Sequence, residues 1–170
     1  MTSRETLQNQ SQLNEVLFRK PSENDAEQIA MVLSQNYNMK DLREAKEFFL
    51  KDISEGVNYV VAEQNGKIIG LATWKMHDLP KHELAEMHKI AVLDGFKGKG
   101  LAQKIFAWLV KDAKLFYKKH GKKLRKLYLM AHANNGRAIG FYEKLGFKKE
   151  AILPSHYYNG IDELVLAMYF

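Results

Sequence analysis

The sequence lacks cysteine altogether, and it lacks any apolar run long enough to cross a bilayer. The absence of cysteine excludes disulfide bonds, thiolate nucleophiles and cysteine metal sites. The opening residues, MTSRETLQNQSQLNE, are polar and have no apolar core of the kind found in signal peptides. Together these absences predict a cytoplasmic protein that makes no use of a membrane.

The sequence also lacks internal repeats, low-complexity tracts and linkers. Its 170 residues fit one domain with one core. Hydrophobic residues make up 46% and charged residues 27%, the balance of an ordinary globular protein. We therefore expect a disordered polar tail at residues 1–12 and a single domain over residues 13–170.

Acidic residues are nearly absent from one stretch of the chain. Residues 97–126 hold eleven lysines or arginines and a single acid, Asp112, whereas residues 22–55 hold more acids than bases. The net charge of +6 is compatible with a nucleic-acid partner or with a phosphate-rich cofactor. The uneven distribution favours two different ligands, although a solvated surface is the simpler explanation of either segment.

What the sequence does contain is a regular succession of strand-like and helix-like segments, which apolar spacing distinguishes. Asn65-Gly66 marks a hairpin between two alternating runs. The predicted order is β α α β β β α β α β β, an α+β fold with a mixed, mostly antiparallel central sheet flanked by helices. The predicted strands are residues 16–19, 57–63, 67–75, 83–93, 124–131, 147–153 and 163–169, and the predicted helices are residues 22–35, 40–53, 99–120 and 135–145.

Residues 95–104, GFKGKGLAQK, combine three glycines with lysines directly before a predicted helix. The stretch is not a P-loop, because no Gly-Lys-Ser/Thr follows at the required spacing. It fails the dinucleotide fingerprint because Gln103 stands at the third glycine position. Residues 95–101 contain no Ser, Thr, Asp or Asn to cap the helix. An uncapped helix N-terminus beside lysines is a ready anion site, and a water-exposed basic turn is the alternative.

Two longer sequence patterns are informative: one contains this stretch, and the other lies further along the chain. The first is the run MHKIAVLDGFKGKGLAQKIF, and the second is NGRAIGFYEKLGF at residues 135–147. They resemble the two signatures of the GNAT superfamily of acyl-CoA-dependent N-acyltransferases, Arg/Gln-x-x-Gly-x-Gly/Ala after an apolar strand and N-x-x-A-x-x-x-Y-x-x-x-G-F. Lys97 departs from the first pattern, where Arg or Gln is usual. The resemblance covers residues 16–170 and implies the acyl-CoA N-acyltransferase fold.

The resemblance implies an enzyme that moves an acetyl group from acetyl-CoA to a primary amine by direct attack. The pyrophosphate would bind backbone amides at the start of the long helix, with neighbouring lysines to balance its charge. The pantetheine arm would pair with the preceding strand as an added strand would. The implied cofactor-binding residues are Ile90, Ala91, Val92, Lys97, Gly98, Lys99, Gly100, Leu101, Ala102, Gln103, Asn135 and Tyr142.

The attacking amine must be neutral, so a base is useful. Residues two apart in a strand share a face, which puts Glu86 and His88 on the same face as Ile90 and Val92. We expect Glu86 to be the base, with His88 or water as alternatives and Glu83 as a weaker choice. Plain solvation of polar residues at a strand end is the structural explanation of the same pattern.

The departing CoA thiolate needs a proton. Tyr142 matches the family's tyrosine, whose hydroxyl lies near the thioester sulfur. A phenol suits this role because phenols and thiols have comparable pKa values, and core packing is the alternative. Asn135 is expected to cap the same helix, which alone explains its presence. A backbone amide near Val92 is expected to polarise the thioester carbonyl.

The acceptor is the least determined feature. In the family it binds between the first two helices and the loop before the last strand, and here these regions hold acids and aromatics that suit a polyamine or another small cationic amine. Residues 86–104 also resemble bacterial spermidine/spermine acetyltransferases. A peptide or protein amine is the alternative. The acids are Glu23, Asp25, Glu27, Glu44, Glu47, Asp52 and Glu55, and the aromatics are Tyr37, Phe48, Phe49, Tyr157 and Tyr158.

Other ligands are not expected. The six histidines show no compact metal-ligand spacing, so we predict no metal. A nucleic-acid-binding module built on residues 97–126 and a non-catalytic acyl-CoA sensor are the remaining alternatives, and neither is favoured. The last strand, residues 164–169, offers an edge that would allow a homodimer.

Overall fold

The computed structural model describes residues 15–170, and the polar tail expected at residues 1–12 lies outside them. Within the described residues the chain forms seven strands and four α-helices in the predicted order. The strands are β1 (Leu17–Arg19), β2 (Asn58–Gln64), β3 (Lys67–Met76), β4 (Leu84–Val92), β5 (Lys126–His132), β6 (Lys148–Tyr158) and β7 (Ile161–Tyr169). The helices are α1 (Ala26–Asn36), α2 (Leu42–Ser54), α3 (Leu101–Lys119) and α4 (Gly136–Lys144).

The seven strands form one sheet in the order β1-β2-β3-β4-β5-β7-β6. β1 pairs with β2 antiparallel, and β7 pairs antiparallel with both β5 and β6. The last strand is therefore internal to the sheet, so the expectation of a free edge at residues 164–169 is wrong, and β6 is the edge strand on that side. β4 and β5 are parallel, with Leu84–Glu86 opposite Lys126–Tyr128. A parallel pair needs a long crossover, which α3 supplies. The prediction of a mixed, mostly antiparallel sheet flanked by helices is confirmed.

The described residues divide into two compact units. The first unit comprises the described residues up to Thr73 together with Lys89–Val110, and the second comprises Trp74–His88 and Lys111–Phe170. Each unit has its own buried apolar side chains. Those of the first include Ile29, Leu33, Phe49, Ile69 and Ile105, and those of the second include Trp74, Tyr117, Leu127, Leu129 and Leu166. That residues 13–170 form a single domain stays a prediction.

Local signals account for several element ends. The β2–β3 hairpin turns at Asn65 and Gly66, whose φ angles of +53° and +73° match a type I′ turn. α2 is capped by Asp41, whose carboxylate accepts the Glu44 amide at 2.8 Å. α3 ends before Gly121, which has φ +66° and follows the basic last turn of the helix.

Two predicted element ends differ from the structure by more than two residues, and both are wrong. The helix predicted from Ser22 begins as a 3-10 turn at Glu23–Asp25, and α1 starts only at Ala26. β6 continues to Tyr158 instead of ending before Pro154. Proline lacks an amide hydrogen, and the β6–β7 register shifts irregularly beyond Leu153, so the strand passes the proline as an irregularity at the sheet edge.

The length and apolar character of each helix can be compared with what a membrane span requires. None of the helices in residues 15–170 combines the length and apolar character that crossing a membrane requires.

Candidate active site

The turn before α3, in the first unit, has the backbone that an anion site needs. Gly98 and Gly100 have φ angles of +75° and +77°, in the left-handed region that favours glycine. A Cβ added at either position would meet no atom within 4 Å, so this face of the turn is open. Gly100 directly precedes Leu101, the first residue of α3, and has no side chain to cap the helix amides. These features fit the pyrophosphate of acetyl-CoA.

Two lysines of this turn contact the turn itself. Lys97 Nζ lies 2.7 Å from Asp94 Oδ1, and Lys99 Nζ donates to the Gly95 carbonyl at 3.0 Å. An exposed ion pair of this kind stabilises a protein by less than about 1 kcal/mol. Both ammonium groups can therefore turn toward a bound anion at little cost.

A glycine in β3 sets the position of α3. A Cβ at Gly70 would lie 2.7 Å from Ile105 Cδ1 and 3.0 Å from the Ala91 carbonyl oxygen. A larger residue would press on the Ile105 side chain of α3 and on the Ala91 carbonyl of β4, so the glycine allows β3 and α3 to approach this closely. Gly70 was not identified from the sequence, although a glycine inside an apolar strand is a signal for such an approach.

Two side chains from the end of α1 occupy the backbone edge of β4. The Tyr37 hydroxyl accepts from the Ile90 amide and donates to the Ile90 carbonyl, both at 3.2 Å. Asn36 Nδ2 donates to the Val92 carbonyl at 3.2 Å. These are backbone groups expected to pair with pantetheine, so an extended ligand at this edge must share or replace the contacts. Sequence reasoning placed Tyr37 only among the acceptor-site aromatics.

The second unit brings the two candidate bases together and adds two partners. Glu86 Oε2 lies 3.4 Å from His88 Nε2, and these side chains are 20% and 28% exposed. Tyr128 on β5 donates its hydroxyl to Glu86 Oε2 at 3.0 Å. His77 Nδ1 lies 3.0 Å from the same hydroxyl. Because the phenol proton is used on Glu86, His77 fits this contact as the donor. Neither Tyr128 nor His77 was identified from the sequence.

The electrostatics of this cluster keep Glu86 ionised. Burial acts to raise its pKa, but His88, the Tyr128 hydrogen bond and His77 outweigh burial, so the pKa of Glu86 lies below its ordinary value. The pKa of Tyr128 is raised by burial and by the charge of Glu86. Tyr128 therefore stays a neutral phenol and a hydrogen-bond donor.

Tyr142 and Asn135 lie in the second unit at α4. Burial raises the pKa of Tyr142, so its phenol keeps the proton at neutral pH. Its ring packs edge-on to Phe141 and Phe147, with centroids 5.5 and 6.0 Å away. Asn135 Oδ1 accepts the Ala138 amide at 3.1 Å. The prediction that Asn135 caps this helix is confirmed.

A second carboxylate–imidazole pair lies where β5 faces β7. Glu163, only 2% exposed, hydrogen-bonds His132 Nδ1, and the two residues are directly opposite in the strand register. The Tyr158 ring packs edge-on to His132 at 5.6 Å. The pKa of Tyr157 is raised, mainly by burial and further by the negative charges of Glu86 and Glu163. Sequence reasoning missed this pair because its members are far apart in the chain.

Glu83, the weaker candidate base, contacts the backbone at the entry to β5. Its backbone adopts φ +54°, and its carboxylate accepts the Lys123 amide at 3.1 Å. Its carbonyl accepts the amides of Arg125 and Lys126 at 2.9 and 3.1 Å. These contacts fix the entry to β5 and leave the carboxylate engaged.

Most acids expected to attract a cationic acceptor already contact groups of their own unit. Five of the seven predicted acids have such a partner. Asp25 binds Arg19, Glu27 binds Lys46, Glu44 accepts the Lys40 amide, Asp52 accepts from Tyr59 and lies 3.6 Å from Lys89, and Glu55 lies 3.8 Å from Lys51. Among residues 15–170, no group of three or more His, Asp or Glu side chains is arranged to hold a metal ion.

The family model of the acetyltransferase (GNAT) domain matches residues 55–149, more than half of the chain. The chain belongs to the GNAT family of acetyltransferases. The matched range includes β4, the glycine turn before α3 and Tyr142. The family's acetyl donor is acetyl-CoA, which agrees with the open turn at Gly98 and Gly100.

Relatives and solved structures agree with the family. An N-alpha-acetyltransferase of Saccharolobus solfataricus is 29% identical over 129 residues, 71% of this chain and 74% of the relative. An uncharacterised N-acetyltransferase of Methanocaldococcus jannaschii is 31% identical over 99 residues, 56% of this chain, and the match spans only 41% of that relative. A structure from Desulfovibrio desulfuricans assigned to the GNAT family has a TM-score of 0.78 at 22% identity, covering 91% of this chain and 99% of that one. The fold is therefore that of the family.

Proposed function

We propose that this GNAT protein transfers an acetyl group from acetyl-CoA to a primary amine. The observation that carries the proposal is the charged carboxylate of Glu86, which is hydrogen-bonded by Tyr128 and lies 3.4 Å from the imidazole of His88. A carboxylate held ionised beside an imidazole attracts an ammonium group and stabilises the imidazolium that forms when a proton is taken from it. These are the two needs of an amine acceptor at neutral pH.

The cofactor would be held by the first unit. The amides of Gly98 to Ala102 would bind its pyrophosphate, with charge from Lys97 and Lys99, and the backbone of Ile90 to Val92 would take its pantetheine arm. Acetyl-CoA supplies an activated thioester to the amine. When the arm binds, the Tyr37 hydroxyl and the Asn36 side-chain amide would give up their hydrogen bonds to the β4 backbone.

Glu86 and His88 would have separate roles in preparing the amine for attack. A carboxylate whose pKa lies below the ordinary value is a poor acceptor of a proton from an ammonium group, which titrates near about 8 for an α-amine and near about 10 for an alkylamine. A neutral imidazole has a free ring nitrogen that accepts a proton, so it is the better acceptor. We therefore assign the anchoring of the ammonium group to Glu86 and the removal of its proton to His88, directly or through a water molecule.

Tyr142 would complete the reaction. Its buried phenol is neutral at pH 7 and can donate its proton to the thiolate that leaves as the carbon–sulfur bond breaks. The proton is regained from solvent before the next turnover.

For the acceptor, a peptide α-amine has the best support. The relative in Saccharolobus solfataricus is an N-alpha-acetyltransferase, at 29% identity over most of both chains. A polyamine was expected from the acids of α1 and α2, but five of those seven acids have partners within the chain. The polyamine stays a prediction that the same experiment tests.

The test is an acceptor panel with acetyl-CoA, followed by CoA release and by mass spectrometry of the products. The panel contains peptides with free N-termini, the same peptides with blocked N-termini, spermidine, spermine and free lysine. We expect acetylation of free N-termini and none of blocked ones. Turnover of spermidine alone would move the acceptor to polyamines, and no turnover on any amine despite CoA binding would refute the enzymatic proposal.

A further inference from the structure

The basic stretch of residues 97–126 extends well beyond the glycine turn proposed for the cofactor. Its C-terminal part lines a concave groove of about 840 Å³ in the second unit, between the last turns of α3 and the segment that leads into β5. We call this the cationic groove. Its polar and aromatic lining includes Lys114, Lys118, Lys122, Lys123, Arg125 and Phe170.

The four lysines of the cationic groove are exposed and make no ion pair with any acid among residues 15–170. Elsewhere in the same part of the chain, lysines such as Lys46, Lys51 and Lys126 do pair with acids. The one acid of the groove lining, Glu83, directs its carboxylate to the Lys123 amide. The groove lining therefore carries a net positive charge, with four lysines and Arg125 against the single carboxylate of Glu83.

The end of a helix attracts cations, but that effect explains only part of the cluster. The helix dipole favours lysines in the last turn of α3, which accounts for Lys118. The dipole effect fades within one turn. Lys114 lies a turn earlier, and Lys122 and Lys123 lie beyond the helix, so the dipole does not account for these three lysines.

Aromatic and apolar groups accompany this charge. The ring of Phe170 is 45% exposed, and Lys114 Nζ lies 4.3 Å from its centroid. Leu124 is buried and contributes to the lining of the groove. Positive side chains along a groove with an exposed aromatic ring are the combination that binds single-stranded nucleic acid, where phosphates meet the cations and a base stacks on the ring.

We propose that the cationic groove binds single-stranded nucleic acid, with the phosphodiester backbone on Lys118, Lys122 and Lys123 and one base against Phe170. A single free phosphate would use one or two of these cations and not the ring. A lipid surface is flat and would not enter a concave groove. This proposal does not depend on acetyl transfer.

The test measures binding of the full chain to fluorescent single-stranded RNA and DNA of mixed sequence by anisotropy, at salt concentrations from 50 to 200 mM. Each neutralised phosphate of a single strand contributes about −0.7 to the slope of log K against log salt. We expect a slope of about −2 to −3. Comparison of the RNA and DNA arms identifies the natural sugar.

The informative variant replaces Lys118, Lys122 and Lys123 by glutamine. It should weaken binding about tenfold per lysine at 50 mM salt and reduce the slope by about 2, for all sequences alike. The matched control replaces three exposed lysines outside the groove by glutamine as well, and it should leave binding nearly unchanged. These are Lys67, Lys144 and Lys148. Phe170→Ala should weaken binding about fivefold or more through lost stacking, with the salt slope unchanged.

Three results would overturn the proposal. The first is no binding at 50 mM salt with tens of micromolar protein. The second is an equal loss in the groove variant and in the control variant, which would indicate attraction to net charge alone. The third is binding only to vesicles that contain phosphatidylserine, which would make the groove a membrane contact.

Discussion

At the residue scale, the charge of Glu86 bears on how the proposed reaction depends on pH. Because its pKa is lowered, Glu86 stays ionised down to the acid range, so its own protonation should not limit kcat/KM between pH 8 and pH 5. His88→Gln should lower kcat by about 100-fold or more at pH 7, because the amine loses the group that takes its proton. Initial rates at saturating acetyl-CoA measure this, and an unchanged kcat would remove His88 as the base.

Glu86→Gln tests the role assigned to the carboxylate. Without it the ammonium group of the acceptor loses its anchor, so kcat/KM for the amine at pH 7 should fall. The rate is measured with acetyl-CoA at saturation and the amine below its KM. Tyr128→Phe is the matched variant, since it removes one hydrogen bond to Glu86 and should lower kcat/KM less. An unchanged kcat/KM in Glu86→Gln would show that this carboxylate does not hold the amine.

Tyr142 is tested by removing only its hydroxyl. Tyr142→Phe keeps the buried ring and its contacts with Phe141 and Phe147, so stability and CoA affinity should change little. The rate kcat should fall by about 100-fold, because the leaving thiolate loses its proton donor. Isothermal titration with CoA and initial rates separate the two effects. A normal rate would leave Tyr142 with a packing role alone.

At the element scale, the start of α1 depends on one half-buried ion pair. Asp25 is 8% exposed, accepts two hydrogen bonds from the Arg19 guanidinium at 2.8 Å and accepts the Ser22 amide at 2.7 Å. Arg19 first, against the opposing effect of burial, lowers the pKa of Asp25 from 3.8 to about 2. A lowered pKa stabilises the folded state above the unfolded pKa, and this stability is lost as pH falls through about 2.

Asp25→Asn should therefore destabilise the protein by about 2 kcal/mol at pH 7, since each pKa unit corresponds to about 1.4 kcal/mol. The difference in unfolding free energy between wild type and variant should shrink as pH is lowered from 5 to 2. Urea denaturation at several pH values measures it. Glu47→Gln on the exposed face of α2 is the control and should show no such dependence. A gap that persists at pH 2 would contradict the ion-pair explanation.

The glycine turn allows an equally direct comparison. Gly100 and Gly56 both have positive φ, +77° and +81°, and a Cβ at either would meet no atom within 4 Å. Alanine at either position should therefore cost about 1 kcal/mol of stability through backbone strain alone. Only Gly100→Ala should also weaken CoA binding, by about tenfold or more, because its Cβ keeps the pyrophosphate from the amides. Equal CoA affinities in the two variants would place the pyrophosphate elsewhere.

What could be predicted from the sequence follows the range of the interactions. The order of the elements, the Asn65-Gly66 turn and the Asn135 cap depend on residues that are neighbours in the chain, and all three are confirmed. The hydrogen bond of Tyr128 to Glu86 joins residues 42 positions apart. It depends on strand order and register, which no local pattern specifies.

The same reason explains the other missed contacts. Tyr37 meets Ile90 across 53 residues, and His132 meets Glu163 across 31. An aromatic residue after a helix and an acid at the start of a strand have no local signature that reveals such partners. The irregular passage of β6 through Pro154 was missed for the opposite reason, because a local rule that ends strands at proline was overridden by pairing with β7.

At the scale of the whole molecule, cofactor binding should appear as thermal stability. A ligand that binds only the folded state at 100 times its dissociation constant adds about 2.7 kcal/mol. For a chain of this size each kcal/mol raises Tm by about 2–4 °C, so CoA at that concentration should raise Tm by about 5–10 °C. Differential scanning fluorimetry across a CoA titration measures the shift. Tyr142→Phe should keep it, since the phenol acts in the reaction, whereas Gly100→Ala, with affinity lowered about tenfold or more, should lose about half of it or more at the same CoA concentration. Gly56→Ala should lower the starting Tm as much as Gly100→Ala but should keep the full shift.

If wild type shows no shift, the chain does not bind the cofactor. If Gly100→Ala keeps the full shift, the cofactor binds without the glycine turn.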